Sequence, residues 1–439
     1  MTMFRGSLCA AVAAMLMVSL HAASPADADR YWGQWRGPFA TGVSKAANPP
    51  AEWSETNNVR WKVEIPGRGS ASPVVWGDRV FVLTAVPVGL AGDATHARLG
   101  GAQPRAAHRL TVVAVDRKIG KIAWEKVAAE KVPHEATRAD NGTWASSSAV
   151  TDGEHVIASF ESGGIFAYDM NGTLAWQKDL GQKQIRMQFG EGSTPALHGN
   201  RLVIVWDHQG QSFIVALDKR TGQELWRQPR AEIDTWATPL IVDVNGRAQV
   251  VTGAMRRITS YDLETGEVVW HTAGLTMNPI PSPVSENGLA FLMSGYQGNS
   301  LKAIRLADAK GDITSTPAVA WTYNRDTPYV PSPLLYDGVL YFLKTSNGLL
   351  TALDAATGAP HYQLQRLDAV PEVFSSPVGA AGRVYIAGRD GKTVVLKRGK
   401  TFELLGVNSL DDGFDASPAL VDGEMYLRGY KFLYCIAEK

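Results

Sequence analysis

The chain has 439 residues, and its 43 lysines and arginines balance its 43 aspartates and glutamates. No block of like charge stands out, so nothing in the composition favours a nucleic acid or an acidic membrane surface as the partner. Length alone would favour two or three domains, but a single repeating pattern runs through most of the chain and overrides that expectation.

The N-terminus has the pattern of a secretory signal peptide. Arg5 precedes an apolar run from residue 8 to residue 20, and small residues follow that run. We therefore predict a signal peptide over residues 1–23 and a periplasmic or secreted location. The apolar run, at about 13 residues, is too short to span a membrane, and a retained N-terminal anchor is the alternative. Removal of the signal leaves Cys435 as a single cysteine, so we expect no internal disulfide.

From residue 31 to residue 439 the chain repeats a unit of about 45 residues, and we predict one domain over this range. Each copy opens on Ser or Thr, in most cases followed by Pro. The eight openings are Ser72, Ser148, Thr194, Thr238, Ser282, Ser332, Ser376 and Ser417. Within a copy, short apolar runs alternate with Gly, Asp and Asn, which is typical of strands joined by tight turns. The pattern predicts an all-β, eight-bladed β-propeller.

The copies end on tryptophans. In three copies Asp, Gly and Trp keep one spacing, at residues 116–124, 218–226 and 262–270. We expect each indole to pack between neighbouring blades, where it buries roughly 150–250 Å². The eighth copy ends at Ala437 without a Trp strand, whereas residues 58–63 supply one with no copy before it. We therefore predict that this N-terminal strand completes the last blade and closes the ring.

The repeat Ala-x-Asp-x-x-x-Gly-x-x-x-Trp, at residues 114–124 and 216–226, resembles that of the pyrroloquinoline quinone (PQQ) repeat family. The resemblance extends from about Trp32 to Ala437. The opening of this range, residues 32–38, is similar to a secreted bacterial subgroup of propellers. The family includes quinone-dependent alcohol and sugar dehydrogenases and the non-enzymatic scaffold lipoprotein of the outer-membrane β-barrel assembly machinery. The resemblance thus implies the propeller fold and leaves two functional classes.

The sequence departs from both classes. It lacks the adjacent cysteines and the haem motif Cys-x-x-Cys-His of quinoproteins, and no calcium ligands match position by position. It also lacks a credible lipidation cysteine. We expect no metal site, and PQQ with calcium stays a cofactor hypothesis without a matching site. The preferred hypothesis is a monomeric, non-catalytic scaffold that binds a small-molecule ligand or an envelope protein. A quinoprotein-type oxidoreductase acting on an alcohol or sugar is the alternative.

The residues just before each Ser or Thr opening, which we call the approach segments, are expected to lie on one face of the ring. They carry aromatic residues at equivalent places: Trp144, Phe189, Trp236, Tyr329, Phe374 and Phe414. These aromatics predict a concave, apolar ligand site at that end of the central channel, which we call the channel mouth. Capping of the innermost strands is the alternative role for several of them.

Loops on the same face add charged residues, and ion pairing between blades is their alternative role. The predicted cofactor- or ligand-binding residues of the mouth are Trp236, Arg256, Tyr329, Arg389, Phe414 and Asp415. Trp236 is the expected stacking contact for a planar ligand. Asp207 and His208 are the acid-base candidates, because a carboxylate beside a histidine can tune its pKa across neutral pH. Adjacent residues of a strand point to opposite faces, so this pair need not touch.

Overall fold

The structure is a computed structural model that describes residues 25–92, 96, 106–138, 140 and 142–438. The signal peptide predicted at residues 1–23 lies outside these residues. Among the residues described, no helix has the length and apolar character that crossing a membrane requires. The helical segments are α1 (Pro25–Arg30) and short 3₁₀ turns at Glu161–Gly163, Arg186–Gln188 and Leu306–Asp308.

The described residues are otherwise organised in strands and turns. The strands are β1 (Val59–Glu64), β2 (Val74–Trp76), β3 (Arg79–Pro87), β4 (His108–Asp116), β5 (Ile122–Lys131), β6 (Val150–Thr151), β7 (His155–Ser159), β8 (Ile165–Asp169), β9 (Leu174–Lys178), β10 (Ala196–His198), β11 (Arg201–Trp206), β12 (Phe213–Asp218), β13 (Glu224–Pro229), β14 (Leu240–Val244), β15 (Arg247–Thr252), β16 (Arg257–Asp262), β17 (Val268–Ala273), β18 (Val284–Glu286), β19 (Leu289–Ser294), β20 (Ser300–Arg305), β21 (Gly311–Asp312), β22 (Val319–Thr322), β23 (Leu334–Tyr336), β24 (Val339–Leu343), β25 (Leu349–Asp354), β26 (Pro360–Arg366), β27 (Val378–Ala380), β28 (Arg383–Ala387), β29 (Lys392–Lys397), β30 (Leu404–Ser409), β31 (Ala419–Val421), β32 (Glu424–Arg428) and β33 (Phe432–Ala437).

The strands form eight antiparallel sheets that follow one another along the chain, and each sheet is one blade. Blades 1 to 4 are β2–β5, β6–β9, β10–β13 and β14–β17, and blade 4 gains β21 as a fifth, parallel strand on β17. Blade 5 is β18, β19, β20 and β22, and blades 6 and 7 are β23–β26 and β27–β30. The prediction of an all-β, eight-bladed β-propeller is confirmed.

Blade 8 contains strands from both ends of the ring. Its sheet order is β1-β33-β32-β31, so the first strand is hydrogen-bonded to the last. The pairing runs antiparallel from Val59 opposite Ile436 to Glu64 opposite Phe432. The segment that precedes blade 1 in sequence therefore supplies the outer strand of blade 8.

Five of the repeated tryptophans hold one blade to the next, whereas the indole N–H of Trp270 donates to Gln249 within blade 4. The Trp61 indole N–H donates to the Arg117 carbonyl oxygen at 2.9 Å, and Trp176 does the same to Lys219 at 2.8 Å. The indole of Trp61 lies so close to Gly120 that a Cβ there would stand 2.5 Å from the ring. Trp124, Trp226 and Trp321 repeat this contact on the glycine of the following blade. The spacing of Gly and Trp in the sequence thus encodes packing between blades.

The Ser and Thr openings form a second repeated contact, which we call the hydroxyl belt. In each link, the backbone N–H of one opening donates to the side-chain hydroxyl of the next opening around the ring. Seven such hydrogen bonds, 2.8–3.0 Å long, connect the openings, and the bond from Ser417 N–H to Ser72 Oγ joins the last blade to the first. The belt satisfies buried backbone donors that no sheet partner reaches.

Residues 32–53, which we call the N-terminal segment, cross one end of the ring. The Trp32 and Gly33 carbonyls accept hydrogen bonds from Val75 and Thr151, on the inner strands of blades 1 and 2. On the other side, the Arg36 guanidinium donates to the Pro333 carbonyl at 2.7 Å. The inner-strand residues in these contacts come after the Ser or Thr openings in the sequence, whereas the approach segments come before the openings. The two groups therefore lie at opposite ends of the inner strands. The N-terminal segment therefore closes the end opposite the mouth, which we call the channel floor.

Candidate functional site

The central channel contains a cavity of about 540 Å³. Trp35 of the N-terminal segment lines its floor and donates its indole N–H to the Ser282 hydroxyl at 3.1 Å. Members of the hydroxyl belt, among them Ser148 and Ser376, line its middle. Approach segments line its mouth. The cavity is thus closed at one end and open at the other.

Four of the six aromatic residues of the approach segments line this cavity: Phe189, Trp236, Tyr329 and Phe374. The Trp236 indole N–H is already bonded to the Gly190 carbonyl at 2.7 Å, so the ring can offer a ligand only its face and edge. The Tyr329 ring stacks on Tyr296 with centroids 4.7 Å apart. The mouth therefore presents aromatic surface whose position is fixed by neighbouring groups.

The other two aromatics lie elsewhere. Trp144 lines a smaller neighbouring cavity of about 60 Å³. Phe414 is 0% exposed and packs edge-to-face on Tyr434 in the core of blade 8, so it does not line the central cavity. For Phe414 the capping role that the sequence left open describes its position.

Arg389 organises one side of the mouth. Its guanidinium donates to Asp415 Oδ1 at 2.8 Å, to Glu372 Oε1 at 2.9 Å and to the Asp140 carbonyl oxygen at 2.9 Å. It also lies 4.3 Å from the centre of the Phe374 ring. One arginine thus joins the approach segments of blades 2, 7 and 8. The positive charge is fully engaged by protein groups.

Asp415 has one oxygen engaged and one free. Oδ1 accepts from Arg389 and from the Tyr430 hydroxyl, the latter at 3.2 Å. Oδ2 is buried and has no hydrogen-bond donor among the described residues, although the residue lines the cavity. Burial raises the pKa of the Asp415 carboxyl, and the Arg389 guanidinium opposes that rise. A buried acceptor without a donor costs free energy, so a ligand that donates a hydrogen bond to this oxygen gains affinity.

Negative charge prevails at the mouth. The described residues that line the cavity include four carboxylates, on Asp140, Glu191, Glu372 and Asp415, and one guanidinium, on Arg138. Arg138 is itself paired with Asp140 at 3.1 Å. The arginines near the mouth are thus paired with carboxylates, which is the ion-pairing role that the sequence left open for the charged residues of this face.

Glu191 belongs to a buried cluster between the two cavities. Lys183 donates to Glu161 Oε1 at 2.6 Å, and Glu191 Oε2 accepts the Ser162 backbone N–H at 2.9 Å. Two carboxylates thus face one ammonium group. Burial raises the pKa of Glu161 to about 7, and the charge of Glu191 adds to the effect.

The acid-base candidates Asp207 and His208 have separate partners. Asp207 is 0% exposed and forms a bidentate pair with Arg230, at 2.7 and 2.9 Å. His208 Nδ1 accepts the backbone N–H groups of Gln184 and Gly210, both at 3.1 Å. Neither residue lines the central cavity. The structure therefore places both side chains in contacts with other partners, and no hydrogen bond joins Asp207 to His208 in the described part of the chain.

Of the six predicted ligand-binding residues, three line the cavity: Trp236, Tyr329 and Asp415. Arg389 stands behind Asp415 and Glu372. Arg256 donates to the Ala231 carbonyl at 2.7 Å and does not line the cavity, and Phe414 lies in the core. Any ligand-binding role of these residues stays a prediction.

Sequence reasoning missed Glu372, Asp140 and Trp35. Glu372 lies two residues before Phe374 in an approach segment, so its place in the repeat could have indicated it. Asp140 and Trp35 occur in single-copy segments, where the repeat gives no signal.

The sequence was compared with families of known proteins, and one family matches. The sequence matches the family described as outer membrane protein assembly factor BamB over residues 51–213, 167–313 and 312–401, which together cover most of the chain. The chain belongs to this PQQ-like repeat family.

Individual relatives match over shorter stretches. The chain is 32% identical over 106 residues to an outer membrane protein assembly factor BamB of Francisella salina, which covers 24% of this chain and 18% of that protein. It is 25% identical over 258 residues to the protein of the same description from Moranella endobia (strain PCIT), which covers 55% and 59%. The chain therefore spans less than two thirds of the length of these curated relatives.

Solved structures share the fold at low identity. BamB from Moraxella catarrhalis superposes with a TM-score of 0.59 at 14% identity, over 85% of this chain and 98% of that one. A europium-containing methanol dehydrogenase superposes with a TM-score of 0.63 at 12% identity, over 91% and 89%. At such identities the two likenesses support the propeller fold alone.

The residues of the mouth do not fit PQQ with calcium. PQQ is a tricarboxylate, whereas carboxylates outnumber guanidinium groups among the described lining residues, and Arg138 and Arg389 are already paired. No group of three or more His, Cys, Asp or Glu residues is placed to hold a metal ion within the described part of the chain. Cys435 is buried in β33 and cannot supply the paired cysteines of quinoproteins. We derive no reaction through the quinone.

Proposed function

We propose that this chain is a periplasmic scaffold, monomeric when free, that binds an envelope protein through the outer edge of blade 1. Its family and the curated relatives are named for outer membrane protein assembly. The predicted signal peptide supports the periplasmic location. The observation that carries the proposal is the shape and surface of blade 1.

Blade 1 is longer than its neighbours. Strands β3 and β4 have nine residues and β5 has ten, whereas the second, third and outer strands of the other blades have four to seven. At about 3.3 Å per residue, three extra residues lengthen the blade by roughly 10 Å. A partner can therefore reach an edge that projects past the ring.

The outer edge of blade 1 is open, and it exposes apolar side chains between the charged residues Glu125, Lys126, Glu130 and Lys131. Strand β5 ends the sheet order β2-β3-β4-β5, so no strand covers its outer side in the described part of the chain. Val127 on this strand is 47% exposed, and Ile119, Ile122 and Val132 beside or on it are exposed as well. An exposed apolar edge strand is a template for pairing with an extended segment of another protein.

Two other blades show how such edges are covered. In blade 4, β21 pairs with the outer strand β17 through Trp270 and Gly311. In blade 7, the side chain of Asn408 on the outer strand β30 bonds to backbone groups of Trp53 and Ala51 in the N-terminal segment. Blade 1 combines length, apolar exposure and an uncovered edge.

Site-specific photo-crosslinking in living cells tests this proposal. A photoreactive p-benzoylphenylalanine at Val127 is expected to give a crosslink to one envelope protein, identified by mass spectrometry. The matched control places the same residue at Val268, which is 54% exposed on β17 of blade 4. Osmotic shock of the same cells is expected to release the protein with the periplasm.

Crosslinks of equal yield from Val127 and Val268 would argue against the blade 1 edge. An absence of crosslinks from both positions, in cells where the protein is abundant, would contradict the scaffold function. The variant Val127→Asp, which places a charge on the edge, is expected to lower co-purification of the crosslinked partner at least about tenfold, while Val268→Asp leaves it unchanged.

A further inference from the structure

We propose that the channel mouth is a binding site for a small organic ammonium ion, with Asp415 accepting its N–H group and the aromatic residues surrounding its apolar body. This ligand site is separate from the blade 1 edge and does not depend on the scaffold function. The proposal rests on the form of the cavity, on its lining, and on the free oxygen of Asp415.

The form of the cavity fits a small molecule. It has a volume of about 540 Å³ and is closed at the floor by Trp35. The hydrogen bond from Arg389 to the Asp140 carbonyl ties the connection between blades 1 and 2 to blade 7, which narrows the open end. A folded partner cannot enter such a space, whereas a ligand of a few hundred Å³ or less can.

The lining fits a cation. Counting the described charged groups on and directly behind the wall, Arg389 faces Asp415 and Glu372, and Arg138 faces Asp140. Arg68 also attracts the Asp415 carboxylate, so the charged groups on and behind this side balance, and the excess of carboxylates lies among the residues that line the cavity itself. Glu191, which also lines the cavity, shares Lys183 with Glu161, and because burial raises the pKa of both carboxyls this cluster adds a negative charge only where both are ionised.

The aromatic faces strengthen the same preference. Phe189, Trp236, Tyr329 and Phe374 come from four different approach segments and surround the opening. The negative face of an aromatic ring attracts a cation within about 6 Å of its centre, with Trp the most effective. An anionic ligand gains nothing from these faces. Arg389 and Arg138 already lie over the rings of Phe374 and Phe189, so the rings of Trp236 and Tyr329 are the ones that favour a ligand cation together with Asp415.

Asp415 marks where the charged end of the ligand binds. Its side chain is 6% exposed and lines the cavity, and Oδ2 has no donor among the described residues. Arg389 and Tyr430 fix the carboxylate from the other side through Oδ1. A ligand ammonium group supplies the missing donor together with a positive charge, and charge-assisted hydrogen bonds of this kind are the stronger ones.

The proposal is tested by calorimetric titration of the full mature chain with three probes that share one body. Phenethylamine carries an ammonium group, phenethyl alcohol a hydroxyl and hydrocinnamate a carboxylate. Saturable binding of phenethylamine is expected, with at least about tenfold weaker binding of the other two probes. Equal binding of the three, preference for hydrocinnamate, or no saturable binding of phenethylamine at millimolar concentration would overturn the proposal.

Two substitutions locate the site. Asp415→Asn is expected to weaken phenethylamine binding at least about tenfold, and its matched control is Asp411→Asn, an exposed residue of the same approach segment. Trp236→Leu keeps the Asp415–Arg389 pair and tests the aromatic wall. If Asp415→Asn fails to fold, the phenethylamine affinity of Trp236→Leu tests the proposal in its place. Unchanged affinity in a folded Asp415→Asn variant, or in Trp236→Leu where Asp415→Asn cannot be measured, would contradict the assignment.

Discussion

The floor and the mouth of the channel are built from different kinds of contact. At the floor, backbone groups of the N-terminal segment bond to the inner strands, and Trp32 is 1% exposed. At the mouth, charged side chains contact one another, and Trp236 and Tyr329 stay half-buried beside the cavity. Backbone bonds and buried indoles stabilise a ring, whereas half-buried aromatics and an unsatisfied carboxylate oxygen leave interactions for a ligand.

The sharpest test of this difference exchanges one tryptophan at each end for alanine. Trp32→Ala is expected to lower the free energy of unfolding by about 3–5 kcal/mol, because it removes a fully buried indole. Trp236→Ala removes a half-buried one and is expected to cost clearly less, while it abolishes binding of the ammonium probe. Chemical denaturation and calorimetry measure the two effects. A stability loss at Trp236 as large as at Trp32 would contradict the division between the two ends.

A second test concerns two arginines on the mouth side of the ring. Arg389 is paired with two carboxylates, whereas Arg428 is 1% exposed and three of its guanidinium nitrogens have no hydrogen-bond partner among the described residues. Burial accordingly lowers the pKa of Arg428 to about 10. The two side chains therefore differ in whether the protein compensates their charge.

Substitution of these arginines by methionine is expected to act in opposite directions. Arg389→Met leaves Asp415 and Glu372 unpaired and should lower the free energy of unfolding by about 3 kcal/mol. Arg428→Met removes a buried charge that has no hydrogen-bond partner among the described residues and whose burial outweighs the attraction of Asp412, and should raise it by about 1–2 kcal/mol. Thermal and urea denaturation of both variants check the signs. Destabilisation by Arg428→Met would mean that a buried water or ion compensates its charge.

The repeat explains which features the sequence could predict. The tryptophans and the Ser or Thr openings recur in the sequence because most blades make the same contact with the next, as at Trp61 with Gly120 and at Ser417 with Ser72. The blade number, strand type and packing role of the indoles followed from that recurrence.

Single-copy contacts could not be predicted in the same way. Arg389 bonds to Asp140 across 249 positions of the chain, and Arg36 bonds to Pro333 across 297. Neither residue pair has a counterpart in other blades, so no period indicates it. The candidate site depends on such contacts, and for that reason several of its residues could be predicted from the sequence, whereas the pairing of its charged groups could not.

The third test uses the pH dependence of stability to compare a buried carboxylate on the mouth side, that of Glu161, with an exposed carboxylate elsewhere in the ring. Burial raises the folded-state pKa of Glu161 from 4.5 to about 7. Between these two values the folded protein therefore holds a proton that the unfolded chain releases. Because stability falls with rising pH wherever the folded state binds more protons, the Glu161 cluster should lower the free energy of unfolding as pH rises through this window, by about 1–3 kcal/mol in total.

The variant Glu161→Gln cannot titrate, so its stability should vary less with pH between 4.5 and 7, although it loses part of the contact with Lys183. Glu264→Gln, at an exposed carboxylate of blade 4, is the matched control and should keep the slope of the parent protein. Urea denaturation at several pH values measures the slopes. An unchanged slope in Glu161→Gln would show that Glu161 stays ionised through this window, so that the cluster with Lys183 and Glu191 carries one net negative charge. The expected smaller slope would show instead that the cluster holds a proton and is neutral below pH 7, so that the preference of the site for a cation then depends on the carboxylates of Asp415 and Glu372.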